Sequence, residues 1–196
     1  MPSFTKDAIK KTFMELLNKK PINKITVKDI AQECGINRNS FYYHFSDIPS
    51  LLEEIFTEEA ERLINSDVAY SSIYEQLIYA IQFAIDNKTA LYHIYNSANR
   101  EMFEIYLDRI SEKAVSDYID NMSHNYNISP SDKVVMVLYY KCMLVGFVID
   151  WLGSNMSYNI TEKLKRICEL FDGSMQNAFR RCEQRSKIVR LDERRG

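Results

Sequence analysis

The sequence predicts an all-α protein: an N-terminal three-helix domain over residues 1–48, a helical bundle over residues 49–182 and a charged tail over residues 183–196. Three observations lead there. Apolar residues recur three and four apart in most segments, the spacing of one helix face rather than the alternation of a strand. Glycine and proline number only 5 and 4, too few for turn-rich β structure, and several stand where helices should stop or start. Hydrophobic residues make up 46% of the chain, enough for a substantial core at this length.

The first helix is expected from Thr5 to about Lys19, with Ile9, Phe13, Leu16 and Leu17 on one face and Lys6, Lys10 and Lys11 on the other. Pro21 stops it. The next stretch, Ile25 to Phe45, is the one around which the chain is organised. Thr26 can cap a helix with Asp29 three residues on, and Gly35 can take the left-handed conformation that ends it. Val27, Ile30, Ala31 and Cys34 form its buried stripe. Ile36 then turns back into the core, and Asn37 caps a second short helix on which Phe41 and Phe45 share the inner face.

That second helix leaves Arg38, Asn39, Ser40, Tyr42, Tyr43 and His44 facing outward. Exposed neighbouring tyrosines are costly unless they touch something. Arg and Asn can make paired bonds to base edges in the major groove, while Tyr, Ser and His reach phosphate oxygens. The geometry is that of a helix-turn-helix, and the expected partner is double-stranded DNA. Arg38 and Asn39, at the helix N-terminus, are assigned to bases. Thr26, Ser40, Tyr42 and His44 are assigned to phosphates, and Lys28 and Tyr43 suit either role.

At these residues the chain resembles the TetR family of bacterial transcriptional regulators. The shared features are Thr-Val-x-x-Ile-Ala from Thr26 to Ala31, the turn at Gly35, and Tyr-x-x-Phe from Tyr42 to Phe45. The resemblance covers roughly Thr5 to Leu52 and implies an all-helical ligand-binding and dimerisation domain beyond it. The family usually carries a phosphate-holding lysine at the start of the next helix, where this chain has Ile48.

Ser46 or Asp47 is expected to cap a fourth helix running to about Asn65, with Pro49 in its first turn. Ile73, Leu77, Ile81, Phe83, Ala84 and Ile85 predict a helix from Ser71 to Asp86. A short helix ending near Asn96 and a long one from about Asn99 to Met122 follow, and His93 and Tyr95 on the short one are expected to be satisfied core residues. Ser129 or Ser131 caps the most apolar helix, Lys133–Leu152, whose Lys141 and Asp150 argue against a membrane span. The last helix is expected from Thr161 to Cys182, before a frayed tail. These last two helices have more apolar surface than one body absorbs, so the chain should be a homodimer.

Charge follows the same division. Residues 1–50 carry eight Lys/Arg against five Asp/Glu, a balance of +3, residues 51–179 stand at −9 and residues 180–196 at +4. A basic first segment on an acidic body suits docking on phosphates with one end. Cys34, Cys142, Cys168 and Cys182 lack paired metal-ligand spacing and are expected to be reduced, buried thiols. Residues 1–11 lack the apolar run of a signal peptide, and a cytoplasmic location is expected. No phosphate loop, metal cluster or nucleophile motif appears, so neither an enzyme nor a resident cofactor is expected.

Two functions fit: a regulator, most simply a repressor, released from a palindromic operator by a small apolar or aromatic effector, and a DNA-binding co-regulator controlled by a protein partner. Tyr139, Tyr140, Met143, Phe147 and Trp151 are the candidate effector contacts. An apolar cavity of several hundred Å³ in the body would favour the first, and a body filled with side chains the second.

Overall fold

The computed structural model describes residues 2–64 and 73–193. Among the described residues there are ten α-helices and one 3-10 turn, with no strand: α1 (Pro2–Leu17), α2 (Val27–Cys34), α3 (Arg38–His44), α4 (Ile48–Ile64), α5 (Ile73–Asp86), α6 (Lys88–Tyr95), α7 (Arg100–Met122), α8 (Pro130–Gly153), α9 (Ile160–Leu170) and α10 (Ser174–Glu193). They form two compact units, Met1–Asp67 with Ile81–Leu107, and Val68–Ala80 with Asp108–Gly196.

The first unit is built on α1. Ile9, Phe13 and Leu17 have no exposed surface, and neither do Ile30 of α2, Phe41 of α3, Leu51 and Leu52 of α4, or Leu91 and Ile94 of α6. Of the three lysines expected on the outer face of α1, Lys6 and Lys10 are tethered to α4, Lys6 to Glu54 and Lys10 to Glu58 at 2.5 Å, while Lys11 stays exposed beside Glu15. α1 ends at Leu17, earlier than expected, because the chain tightens before Pro21 opens the 3-10 turn Ile22–Lys24. The free carbonyl of Leu17 is one of the unpaired acceptors at every helix C-terminus. His93 of α6 donates to it from Nδ1 at 2.7 Å. Tyr95 is buried and holds the Arg100 guanidinium over its ring at 4.3 Å. Deeper in the unit, Phe56 stacks on Tyr106 at 4.6 Å, with Phe83 and Phe103 around them. The buried Tyr106 hydroxyl has no hydrogen-bond partner among the described residues, and burial raises its pKa.

In the second unit Val115 and Ile119 of α7, Met136 of α8 and Met175 and Phe179 of α10 make a buried cluster. Ser129 caps α8, accepting from the Asp132 amide at 3.1 Å. α8 is long and apolar enough to cross a membrane by length and composition alone. Midway along it, however, Lys141 is paired with Asp108 at 3.0 Å and Glu112 at 3.3 Å, both on α7. The predicted single helix over Thr161–Cys182 is two. Gly173 at φ 74° breaks it, a backbone conformation that favours glycine, and α10 then continues to Glu193 rather than fraying at 183. Beyond Cys182 the chain to Glu193 lacks glycine and proline and is rich in helix-forming Arg, Lys, Gln and Glu. The expected start of α5 at Ser71 lies outside the described residues.

The helix starts around the motif are electrostatically specified. The Asp29 carboxylate accepts from the Thr26 amide at 2.9 Å and from Lys20 at 3.1 Å, while Thr26 Oγ1 accepts from the Asp29 amide at 3.2 Å. The Thr26 amide, then Lys20 and the Thr26 hydroxyl, hold the Asp29 carboxyl down at about 2 from its ordinary 3.8. Its folded pKa lies below its unfolded one, so its stabilisation is full above the ordinary value and is lost as pH falls through about 2. Asp29→Asn should therefore flatten the drop in melting temperature between about pH 4 and about pH 2. An acid limb as steep as the wild type's, followed by circular dichroism, would refute this.

Candidate functional site

The Gly35 turn sets the geometry of the motif. Gly35 sits at φ 71°, in the left-handed region, and the next amide, Ile36, returns to the Ala31 carbonyl at 2.9 Å. Asn37 then caps α3, its Oδ1 accepting from the Ser40 amide at 2.8 Å. Phe41 and Phe45 are buried with ring centroids 5.8 Å apart, which fixes the rotation of α3 about its own axis.

That rotation exposes the outer face. Arg38, Asn39, Tyr42 and Tyr43 are exposed, with Tyr43 at 81%. His44 is half-buried, its ring edge-on to Tyr43 at 5.0 Å, and Tyr42 stands edge-on to Phe41 at 5.6 Å. Ser40 is half-buried and its hydroxyl lies 3.1 Å from Asn37 Oδ1, so it supports the cap. Thr26 and Lys28 are exposed at the start of α2. Sequence reasoning could not foresee how the cations of this region sort. Lys19 lies 3.7 Å from Glu33 and Lys20 is 3.1 Å from Asp29, beside the Lys6 and Lys10 pairs. Among the described residues, Lys24, Lys28 and Arg38 have no acidic partner, and all three lie on or just before α2 and α3. Ile48, where a lysine was the alternative, is half-buried in the first turn of α4, which Asp47 caps by accepting from the Ser50 amide at 2.8 Å.

The second unit holds a cavity of about 450 Å³. Of the five residues singled out as effector contacts, Tyr140, Met143 and Phe147 line it. Tyr139 does not and is 59% exposed. Trp151 does not either: it is buried, and its indole N–H donates to the Tyr158 carbonyl at 3.0 Å. Sequence reasoning missed Leu77, Val115, Tyr118 and Phe171, which extend the apolar wall, and the two carboxylates on it, Asp150 and Asp172. Only Phe171 gave a hint, as an aromatic two residues before Gly173. Outside the core, α8 exposes Val134, Val135, Leu138, Tyr139 and Met143, and Leu170 and Phe171 at the end of α9 are exposed too. Cys142 is exposed and the other three thiols are half-buried, so the four are less covered than expected. Among the described residues no group of three His, Cys, Asp or Glu is placed to hold a metal ion.

Comparison with known proteins bears on the fold and the family of the chain. Residues 11–55 match the model for bacterial regulatory proteins of the tetR family, and residues 71–173 match that for a transcriptional regulator C-terminal region. The HTH-type dhaKLM operon transcriptional activator DhaS of Lactococcus lactis is 25% identical over 137 residues, covering 69% of this chain and 72% of that protein. An HTH-type transcriptional regulator of Staphylococcus aureus is 31% identical over 112 residues, 48% of this chain and 60% of that one. Among solved structures, the dihydroxyacetone kinase operon activator DhaS superposes with a TM-score of 0.70 at 20% identity, covering 91% of this chain and 98% of that one. NalD of Pseudomonas aeruginosa, the secondary repressor of the MexAB-OprM efflux pump, gives 0.61 at 16% identity, with 91% and 97% covered.

The Asn37 side chain caps the start of α3. Asn37→Ala should cost about 1 kcal/mol. The loss should appear as a lower denaturation midpoint, and an unchanged midpoint would mean that the cap is not holding α3.

Proposed function

This chain belongs to the TetR family of DNA-binding transcriptional regulators, and from that premise we propose that it is a repressor released from a palindromic operator by a small-molecule effector held in the second unit. The observation that carries the effector is the cavity of about 450 Å³, within the size range of small-ligand sites and walled mainly by apolar and aromatic side chains. A ligand there acts only through different affinities for the DNA-bound and released states.

DNA is read by α3. Arg38 and Asn39 contact base edges. Thr26, Ser40, Tyr42 and His44 meet phosphates, and Lys28 and Tyr43 take either role. The three unpaired cations of this region support the assignment, since their charge is not already neutralised within the chain. Two heads are needed for a palindrome. Val134, Val135, Leu138 and Tyr139 of α8 and Leu170 of α9, exposed and outside the cavity wall, support a homodimer through this surface, because such a patch on a monomer marks an interaction site. The domain division follows the same reading: a DNA-binding part over residues 1–48 and an effector and dimerisation part over residues 49–182. The working place of such a regulator is the cytoplasm, and its role is binding rather than catalysis.

One observation favours a second reading. The Lactococcus lactis relative is named an activator, so an activating co-regulator governed by a protein partner is the alternative. Protection of a selected operator, with and without compounds that raise the melting temperature, separates the two. Release by a compound supports the first, and stabilisation without release supports the second.

The two groups on α3 should fail differently. Arg38→Ala should cost about 1–3 kcal/mol at the operator and relax preference at one base position per half-site. Tyr42→Ala or His44→Ala should weaken operator and random DNA alike. Footprinting and titrations at several salt concentrations read both effects; equal losses for Arg38→Ala on operator and random DNA would remove it from base reading. For the dimer, Leu138→Arg should shift sedimentation from dimer to monomer and abolish operator binding. A wild-type chain that sediments as a monomer at micromolar concentration would overturn the two-headed arrangement.

A further inference from the structure

We infer that the cavity of the second unit is built for a lipophilic cation, an aromatic or branched apolar molecule bearing a protonated amine or a quaternary nitrogen. The inference rests on the effector reading above and narrows it to one ligand class. Charge comes first. Asp150 on α8 and Asp172 between α9 and α10 are the carboxylates among the lining residues, and among the described residues no Lys, Arg or His lines the cavity. The cation closest along α8, Lys141, is taken by Asp108 and Glu112. An anionic ligand would therefore meet two like charges without a counter-ion among the lining residues, and a neutral one would gain at most a hydrogen bond. A cation gains from both.

The walls fit the same class. Tyr118, Tyr140, Phe147 and Phe171 offer ring surfaces with which a cationic nitrogen interacts favourably, and Met143 adds a polarisable thioether. Asp150 is oriented rather than neutralised: Tyr158 donates its hydroxyl proton to Oδ2 at 2.9 Å, which leaves acceptor capacity on the carboxylate. Burial, and then Asp150 itself, push the Tyr158 phenol up to about 12, so it remains a donor at neutral pH.

An independent observation comes from Gly146. It lies within α8 and lines the cavity, and a Cβ built there meets nothing within 4 Å. Glycine inside a helix is destabilising relative to alanine, and among the described residues no atom stands close to where its Cβ would be. Gly146 is exposed, so the room left by the missing side chain opens at the mouth of the cavity.

The test uses the full chain and three aromatic probes of matched shape: biphenylmethylamine, biphenylmethanol and biphenylcarboxylate. Isothermal titration calorimetry should find the amine bound at least about tenfold more tightly than the other two. Asp150 and Asp172 are both exposed, so the double variant Asp150→Asn with Asp172→Asn should fold. It should lose the preference for the amine and keep its affinity for the alcohol. Gly146→Leu, which fills the open space, should block all three probes. Equal binding of amine and alcohol, or a preference that survives the double variant, overturns the cation assignment while leaving the effector reading intact. Absence of binding by every probe overturns both. A Gly146→Leu chain that turns from dimer to monomer in sedimentation would give that space to a second copy and overturn the inference as well.

Discussion

The burial of one face of α1 is the constraint on which the first unit depends. Ile9, Phe13 and Leu17 are fully covered, and the cover comes from helices far apart in the chain. Burying side chains of this size contributes about 1.5–3 kcal/mol each, before the entropy of ordering them is counted. The polar edges of α1 are used as well. Lys6 and Lys10 fix α4 through Glu54 and Glu58, and the terminal carbonyl of Leu17 is taken by His93 of α6. A carbonyl can only accept, so this contact requires the proton on Nδ1 of His93. The three-helix head is thus not a free-standing piece: α6, far along the chain, satisfies an acceptor at the end of α1, and both belong to the same compact unit.

The outer face of α3 is what this packing leaves over. Phe41 and Phe45 go inward, and the residues between and before them have nowhere to go but out. The cations are sorted in the same way. Those on α1 and after it are consumed by acidic neighbours, whereas Lys24, Lys28 and Arg38 keep their charge available. Surface pairs of this kind contribute little to stability, roughly 0–1 kcal/mol. Their larger effect is on where positive potential remains, and it remains around α2 and α3.

In the second unit α8 carries two demands on one sequence. Met136, Leu144, Val148, Trp151 and Leu152 are buried, while Val134, Val135, Leu138 and Tyr139 are exposed. A helix apolar nearly all round therefore divides its surface between a core and an uncovered face, with the cavity wall of Tyr140, Gly146 and Phe147 between those roles. Lys141 keeps its charge at little cost because two carboxylates of α7 meet it. The exposed Asp150 serves the cavity and Tyr158 together.

The sequence by itself determined the features governed by short-range rules. The Thr26 and Asp29 capping box, the left-handed Gly35, the Asn37 cap and the inward Phe41 and Phe45 each follow from residues within about one helical turn of one another, whereas the choice of Ser129 over Ser131 as the cap of α8 came from the structure. The TetR resemblance was legible there for the same reason, since the motif is local. Gly173 was just as local a signal, but the apolar spacing on either side of it suggested a single helix where the structure has two. What the tertiary structure alone decided was which distant groups meet. Nothing near Lys10 in the sequence points to Glu58, nothing near Leu17 points to His93, and only packing separates Tyr140 at the cavity from Tyr139 in the open. On a helix apolar on nearly every side, adjacent tyrosines look alike in sequence. Their surroundings are set by side chains tens of residues away, whose positions depend on every helix packed between.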